Sequence, residues 1–303
     1  MHGSTVSTGK IVTIKPKKEK VNRSKSEKII IWVVFALLAI YAFTLIYPFI
    51  YLIINSMKTI GEFLTNPMGL PKNFTAMVNN YSYVFAEYPI ISMFINSVAL
   101  SVGQTVVGMA LSCIAAYVLA KYKFKGNGFI YMATIIASMV PTVGATPATY
   151  KLMINMGFLK GGYLYNYLGM LFMIGAFGGP FLYLHSFFKA IPWSYGESAQ
   201  LDGASDFRIF VQIMLPLAAN GVLTFTIIRF LGSWNEYWSA YLYFGRFETL
   251  AVGLNRLSTE AASFNLHVEL FAAMIVSIIP VLIFYAIFQK QLMRNTIGGG
   301  LKG

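Results

Sequence analysis

Six runs of mostly apolar residues, at about 29–54, 90–120, 129–153, 165–188, 217–240 and 270–288, are separated by segments bearing charge, Gly or Pro. A helix of about 20 apolar residues crosses the roughly 30 Å hydrocarbon layer of a bilayer. Lipid offers no partners to backbone N–H and C=O groups, so a helix must satisfy its own. The pattern predicts an all-α, polytopic membrane protein with six transmembrane helices. Tyr47-Pro48 and Met139-Val140-Pro141 fall within runs and predict kinks rather than ends, since neighbouring helices can satisfy the groups Pro frees. The chain divides into a basic tail over 1–28, a membrane domain over 29–289 with a polar loop at 190–216, and a short glycine-rich tail over 290–303. No internal repeat stands out.

Composition agrees with a bilayer as solvent: 57% of the 303 residues are hydrophobic and only 11% are charged, against about a quarter charged in soluble domains. The net charge of +12 would raise nucleic acid as a partner in a soluble protein. Here the Lys and Arg residues lie between apolar runs, so they report orientation instead, and no nucleic-acid partner is expected. With the amino terminus inside, sixteen of the 23 lie on cytoplasmic segments, six outside, and Arg229 within the fifth run. Basic residues favour the cytoplasmic side, so both termini are expected there. The first run is too long for the apolar core of a signal peptide and no small-residue cleavage pattern follows it, so it reads as a retained span. Cys113 is the single cysteine, which excludes a disulfide or cysteine metal site within the chain. His2, His185 and His267 are scattered, so no metal site is expected.

The cytoplasmic loop after the fourth run carries the most information. Ser194 and Glu197 have capping-box spacing, Gly203 suits the left-handed position after a helix, and Ser205 or Asp206 can cap a second helix running towards Ile213, Leu215, Pro216 and the fifth span. Helix, sharp turn, helix is the expected shape. It can lie on the membrane surface or dock another protein. The small residues Ser198, Ala199, Gly203 and Ala204 permit close approach, and Glu197 and Asp202 offer acceptors in a loop that should favour bases.

Glu197-Ser198-Ala199, then Asp202-Gly203-Ala204-Ser205 and Ile213-x-Leu215-Pro216, resembles the EAA loop of ABC importer permeases, with Ser198 where the family usually has Ala. Asn80-Tyr81, Asn96-Ser97, Ala115-Ala116-Tyr117, Met139-Val140-Pro141, Trp234-Asn235-Glu236-Tyr237 and Gly300-Leu301-Lys302-Gly303 extend the likeness over nearly all of the chain beyond its amino-terminal tail, towards the MalG-like carbohydrate-uptake branch. The resemblance implies one permease subunit in a bacterial or archaeal cell membrane. It also implies a second homologous permease, two ATPase subunits that bind ATP and Mg, and an extracytoplasmic solute-binding protein delivering a sugar or oligosaccharide. The coupling residues would be Glu197, Ser198, Ala199, Asp202, Gly203, Ala204 and Ser205. This chain has no Gly-x-x-x-x-Gly-Lys-Ser/Thr phosphate loop, so it is expected to be non-catalytic and without a cofactor of its own.

An ionisable residue at membrane depth is costly and should face a bundle interior or a wet cavity. Arg229 and Glu236 are seven apart, on one helical face. They and Asn235 are candidates to hydrogen-bond a solute, and Trp234, Tyr237 and Trp238 to offer flat faces to sugar rings. The same aromatics also suit a membrane interface, and Arg229 with Glu236 can be a structural pair. Asn96 can bond across helices or to solute. The alternatives are an ABC permease for another polar solute, an ion-coupled secondary transporter, for which internal repeats and intramembrane acids would be expected, and a membrane scaffold.

Overall fold

The computed structural model describes residues 24–298 apart from Pro141 and Arg246, and of residues 142, 143 and 291–298 it describes the backbone alone. Most of the expected amino-terminal tail and the last five residues lie outside this description. The chain forms two compact units, 1–50 and 51–303. Every described element is a helix or turn, with no strand among the described residues.

Helix α1 (Lys25–Ser56) begins in the first unit. A reciprocal capping box starts it: Glu27 N donates to Ser24 Oγ at 3.2 Å and Ser24 N to Glu27 Oε2 at 3.0 Å. Pro48 sits within the helix without ending it.

In the second unit, α2 (Ile60–Thr65) and α3 (Thr75–Glu87) precede α4 (Ile90–Lys121), the spine of the bundle. Its buried residues recur as Met93, Asn96 and Ser97, Leu100 and Ser101, Thr105, Gly108 and Met109, Ser112 and Cys113, Ala116 and Tyr117. That spacing of three to four defines one helical face. Many of these residues are small, which lets helix backbones approach where hydrophobicity gives no drive to associate. Against this face pack α8 (Gly179–Ala190) and α12 (Ala219–Asn235). The long α15 (His267–Gly298) packs on α3, α12 and α14 (Leu250–Phe264).

Three of the expected runs are single long apolar helices, α1, α4 and α15. The others are broken. The third run becomes α5 (Asn127–Met139), a 3-10 turn (Thr142–Ala145) and α6 (Thr146–Asn155). Val140 is extended, as a residue before proline prefers, so α5 ends at Met139 where a kink was expected. The fourth run splits into α7 (Tyr163–Phe172) and α8 around Gly175 and Gly178. Gly178 takes φ +152°, and Pro180 occupies the first turn of α8, where its missing N–H costs nothing. The fifth run ends at Asn235, and α13 (Trp238–Tyr243) follows. In the other direction, α15 continues to Gly298, through most of the segment expected to be a short glycine-rich tail. Residues such as Gln289, Lys290, Gln291, Leu292, Met293 and Arg294 are good helix formers.

Candidate functional site

The 190–216 loop folds as two helices about a glycine turn. Helix α9 (Ser194–Leu201) starts at the residue expected to cap it, so the cap falls one residue earlier. Trp193 is the N-cap and makes no side-chain cap bond, and Ser194 lies inside the first turn, so the predicted Ser194–Glu197 capping box does not form. Gly196 accommodates the Trp193 ring, since a Cβ there would sit 2.8 Å from it. At the other end, Gly203 N donates to Gln200 O at 3.0 Å and Ala204 N to Ala199 O at 2.9 Å. With Gly203 at φ +79°, this is a complete Schellman motif, as Gly203 predicted. Ser205 then caps α10 (Asp206–Ile209), its Oγ accepting from Arg208 N.

Beyond α10 the backbone widens into a π turn over Phe210–Met214 before α11 (Leu215–Leu217). Pro216 has no N–H to donate four residues back, and Leu215 N reaches Phe210 O instead. The segment Asp206–Leu217 meets α12 at 80°, through Ala218.

The hairpin is seated on α4 and α8. Ala199, Ile209, Met214 and Ala218 join Met109, Ala116, Tyr117, Leu184 and Phe188 in one buried cluster. The Tyr117 ring lies 4.9 Å from Phe210 and 5.7 Å from Phe188. Lys121 Nζ donates to Ile191 O, and Tyr122 meets Trp193 edge-on at 5.8 Å. The Tyr122 hydroxyl is pushed well above its ordinary range, first by burial and then by the Tyr117 hydroxyl and the Asp206 carboxylate beside it.

Of the residues named from the sequence, Ala199 is buried and Ala204 packs against the same cluster. Their small size serves the chain's own packing. Glu197, Ser198, Asp202, Gly203 and Ser205 face outward. Beside them are two apolar residues that the sequence reading passed over, Leu201 at 90% exposure and Phe207 at 74%. Their signal was present: both lie off the buried Gly196–Ala199–Ile209 register of a short polar segment.

A cavity of about 680 Å³ opens in the bundle. Its walls come from α4 (Gln104), α7 (Met170), the break between α7 and α8 (Met173, Ile174, Gly175, Phe177), α12 (Arg229, Gly232, Ser233), Glu236, and α13 (Ser239, Tyr243). Irregular backbone at membrane depth is tolerated where it borders a cavity or is covered by protein. Ser112 Oγ pins this break to α4 by donating to Ala176 O at 2.9 Å.

Arg229 Nε donates to Gln104 O at 3.2 Å, and Ser233 Oγ donates to Gln104 Oε1. Glu236 is exposed at the end of α12, and its Oε1 accepts from Trp238 N at 2.7 Å and Ser239 N at 3.1 Å. Arg229 and Glu236 therefore share a cavity without forming an ion pair.

The remaining sequence-named residues lie elsewhere. Trp234 is buried in a core with Met93, Leu250 and Leu257, stacked on Phe230. Asn96 Nδ2 donates to Glu248 O at 2.9 Å, and its neighbour Ser97 accepts from Leu250 N at 2.8 Å, so both tie α4 to the start of α14. Asn235 is exposed and bonds Leu231 O within its own helix. Tyr237 and Trp238 are exposed and outside the cavity lining. Gln104, Ser233, Ser239 and Tyr243 line the cavity without having been singled out. Gln104 was legible as a polar residue in the middle of a 32-residue apolar helix.

A helical membrane bundle with an open cavity of mixed polar and apolar lining, bordered by broken helices, has the build of a transport permease. Residues 108–297 match the family described as binding-protein-dependent transport system inner membrane component, and the chain belongs to that family. It is a permease subunit, with ATP hydrolysis on separate subunits. The chain is 30% identical to the diacetylchitobiose uptake system permease protein NgcG of Streptomyces coelicolor, over 87% of this chain and 86% of that one. It is 27% identical to the arabinooligosaccharides transport system permease protein AraQ of Halalkalibacterium halodurans, over 93% and 100%. In fold it is similar to a bacterial ABC transporter involved in the import of the acidic polysaccharide alginate, with a TM-score of 0.72 at 24% identity, covering 88% of this chain and 98% of that one.

Proposed function

We propose that this chain is the permease subunit of an ATP-driven importer that admits a sugar or oligosaccharide, and that α9, the Gly203 turn and α10 couple it to the ATPase. The supporting observation is continuity. The outward-facing hairpin is seated on α4 and α8 and runs through the π turn and an 80° bend into α12, which carries Arg229 and Ser233 on the cavity wall. A displacement at the hairpin is thereby delivered to the cavity through helix rather than loose chain. Glu197, Ser198, Asp202, Gly203 and Ser205, with Leu201, meet the ATPase, while Ala199 and Ala204 hold the hairpin to the bundle.

In this reading α5 with α6, and α7 with α8, each complete one broken crossing, α12 with α13 another, for six in all with both termini in the cytoplasm. Broken helices at a central site are a recurrent device of transporters. The assembly comprises a second permease, two ATPases that bind ATP and magnesium, and an external solute-binding protein, in a bacterial or archaeal cell membrane. Relatives named for diacetylchitobiose and arabinooligosaccharides support a carbohydrate solute. Arg229, Glu236, Gln104 and Ser233 offer it donors and acceptors, and Tyr237 and Trp238 lie nearby in sequence.

Reconstitution with the ATPase and binding protein tests this. Glu197→Lys and Gly203→Asp should abolish uptake and its coupled ATP hydrolysis; if both variants retain assembly and coupled hydrolysis, the assignment fails.

A further inference from the structure

The cavity is lined by a cation, Arg229, that makes no ion pair among the described residues. Arg229 commits Nε to Gln104 O. Among the described residues its two terminal nitrogens have no hydrogen bond and no ion pair. Glu236, on the same wall, does not pair with it: its Oε1 is held by two backbone N–H groups at the start of α13. Arg229 is also fixed in place. A Cβ on Gly108 would lie 2.2 Å from the guanidinium carbon, so the side chain fills a notch in α4 that exists because residue 108 is glycine. Ser233 holds the Gln104 side chain beside it.

A guanidinium is a planar fork suited to two oxygens of a carboxylate or sulfonate. Charge-assisted hydrogen bonds are about twice as strong as neutral ones, so the hydroxyls of an uncharged sugar gain less at such a group. We infer that the terminal nitrogens of Arg229 receive the acid group of an acidic sugar, a uronate or a sulfonated sugar, as it passes through this subunit. The inference rests on the permease reading and adds the charge of the solute to it.

The test uses the full chain in its assembled complex in phosphatidylcholine nanodiscs, where no anionic headgroup competes, with trigalacturonate and maltotriose as probes. The wild type should bind trigalacturonate about tenfold more tightly than maltotriose. Arg229→Gln should remove that preference, Arg229→Lys keep part of it, and Gly108→Ala reduce it by displacing the fork. Should Arg229→Gln fail to assemble, Arg229→Lys and Gly108→Ala decide. Equal binding of the two probes, no saturable binding of either, or a preference unchanged in the variants overturns the inference. So does loss of trigalacturonate binding when phosphatidylglycerol is added, which would assign the anion to lipid. ATP-driven maltotriose uptake without the acid preference sinks this inference alone. The acid preference without any ATP-driven uptake sinks the permease reading instead.

Discussion

The Arg229 guanidinium lies in a notch of α4 opposite Gly108, where an added Cβ would come within 2.2 Å of it. Overfilling a packed interior costs about 1–3 kcal/mol. Gly108→Ala should lower the thermal midpoint of the purified subunit and reduce uptake, because the guanidinium must move for the methyl to fit. Gly61→Ala, where a Cβ meets nothing within 4 Å, should leave both unchanged.

Leu201 stands at the tip of α9 with 90% of its surface exposed. Burying a leucine side chain contributes about 1.5–3 kcal/mol. Leu201→Ala should therefore weaken ATPase binding by roughly 10- to 100-fold while leaving the thermal midpoint of the isolated subunit unaltered. Affinity capture of the ATPase by wild type and variant, beside a melting curve, checks this. Unchanged capture would remove Leu201 from the coupling surface.

Lys58 is 1% exposed at the end of α1. Its Nζ donates to Asn55 Oδ1 at 2.9 Å and to the carbonyls of Asn66 and Pro67 at 3.0 Å. Asn80 Nδ2 completes the knot by donating to Ser56 O and Lys58 O. Burial pushes the Lys58 pKa down, against a smaller upward pull from Glu62. Lys58→Met would strip the donors from carbonyls the fold has sequestered, at a cost of about 1–3 kcal/mol. A lower thermal midpoint is expected, with protease cleavage appearing in 57–74 as the readout of local loosening.

Tyr122 makes a pH prediction. Its pKa in the folded chain is raised above 10.0, so between that value and the folded pKa the native state keeps a proton the unfolded state has lost. The contribution to stability is complete below about pH 10 and declines as pH rises further. Tyr122→Phe should flatten the fall in thermal midpoint above pH 10, measured against wild type across pH 8–11. A parallel decline in both proteins would show that Tyr122 is not the group responsible.

Sequence alone determined which residues must leave water and where the chain must turn. Apolar runs at bilayer length marked α1, α4 and α15, because lipid demands an unbroken hydrogen-bonded helix. Gly203 and Ser205 located the hairpin turn, because a left-handed residue and a side-chain cap are local requirements that neighbouring residues suffice to meet. Tertiary structure decided the rest. The runs at 129–153 and 165–188 read as continuous by hydropathy, yet the first breaks after Met139 and the second around Gly178, where a cavity borders the break and Ser112 bonds Ala176 O. Trp234 and Arg229 stand five apart, about 140° around one helix, and packing decided which of those faces met a core and which the cavity. That Ala199 faces inward while Leu201 faces out follows from how α9 is rolled onto α4 and α8, a rotation set by contacts distant in sequence.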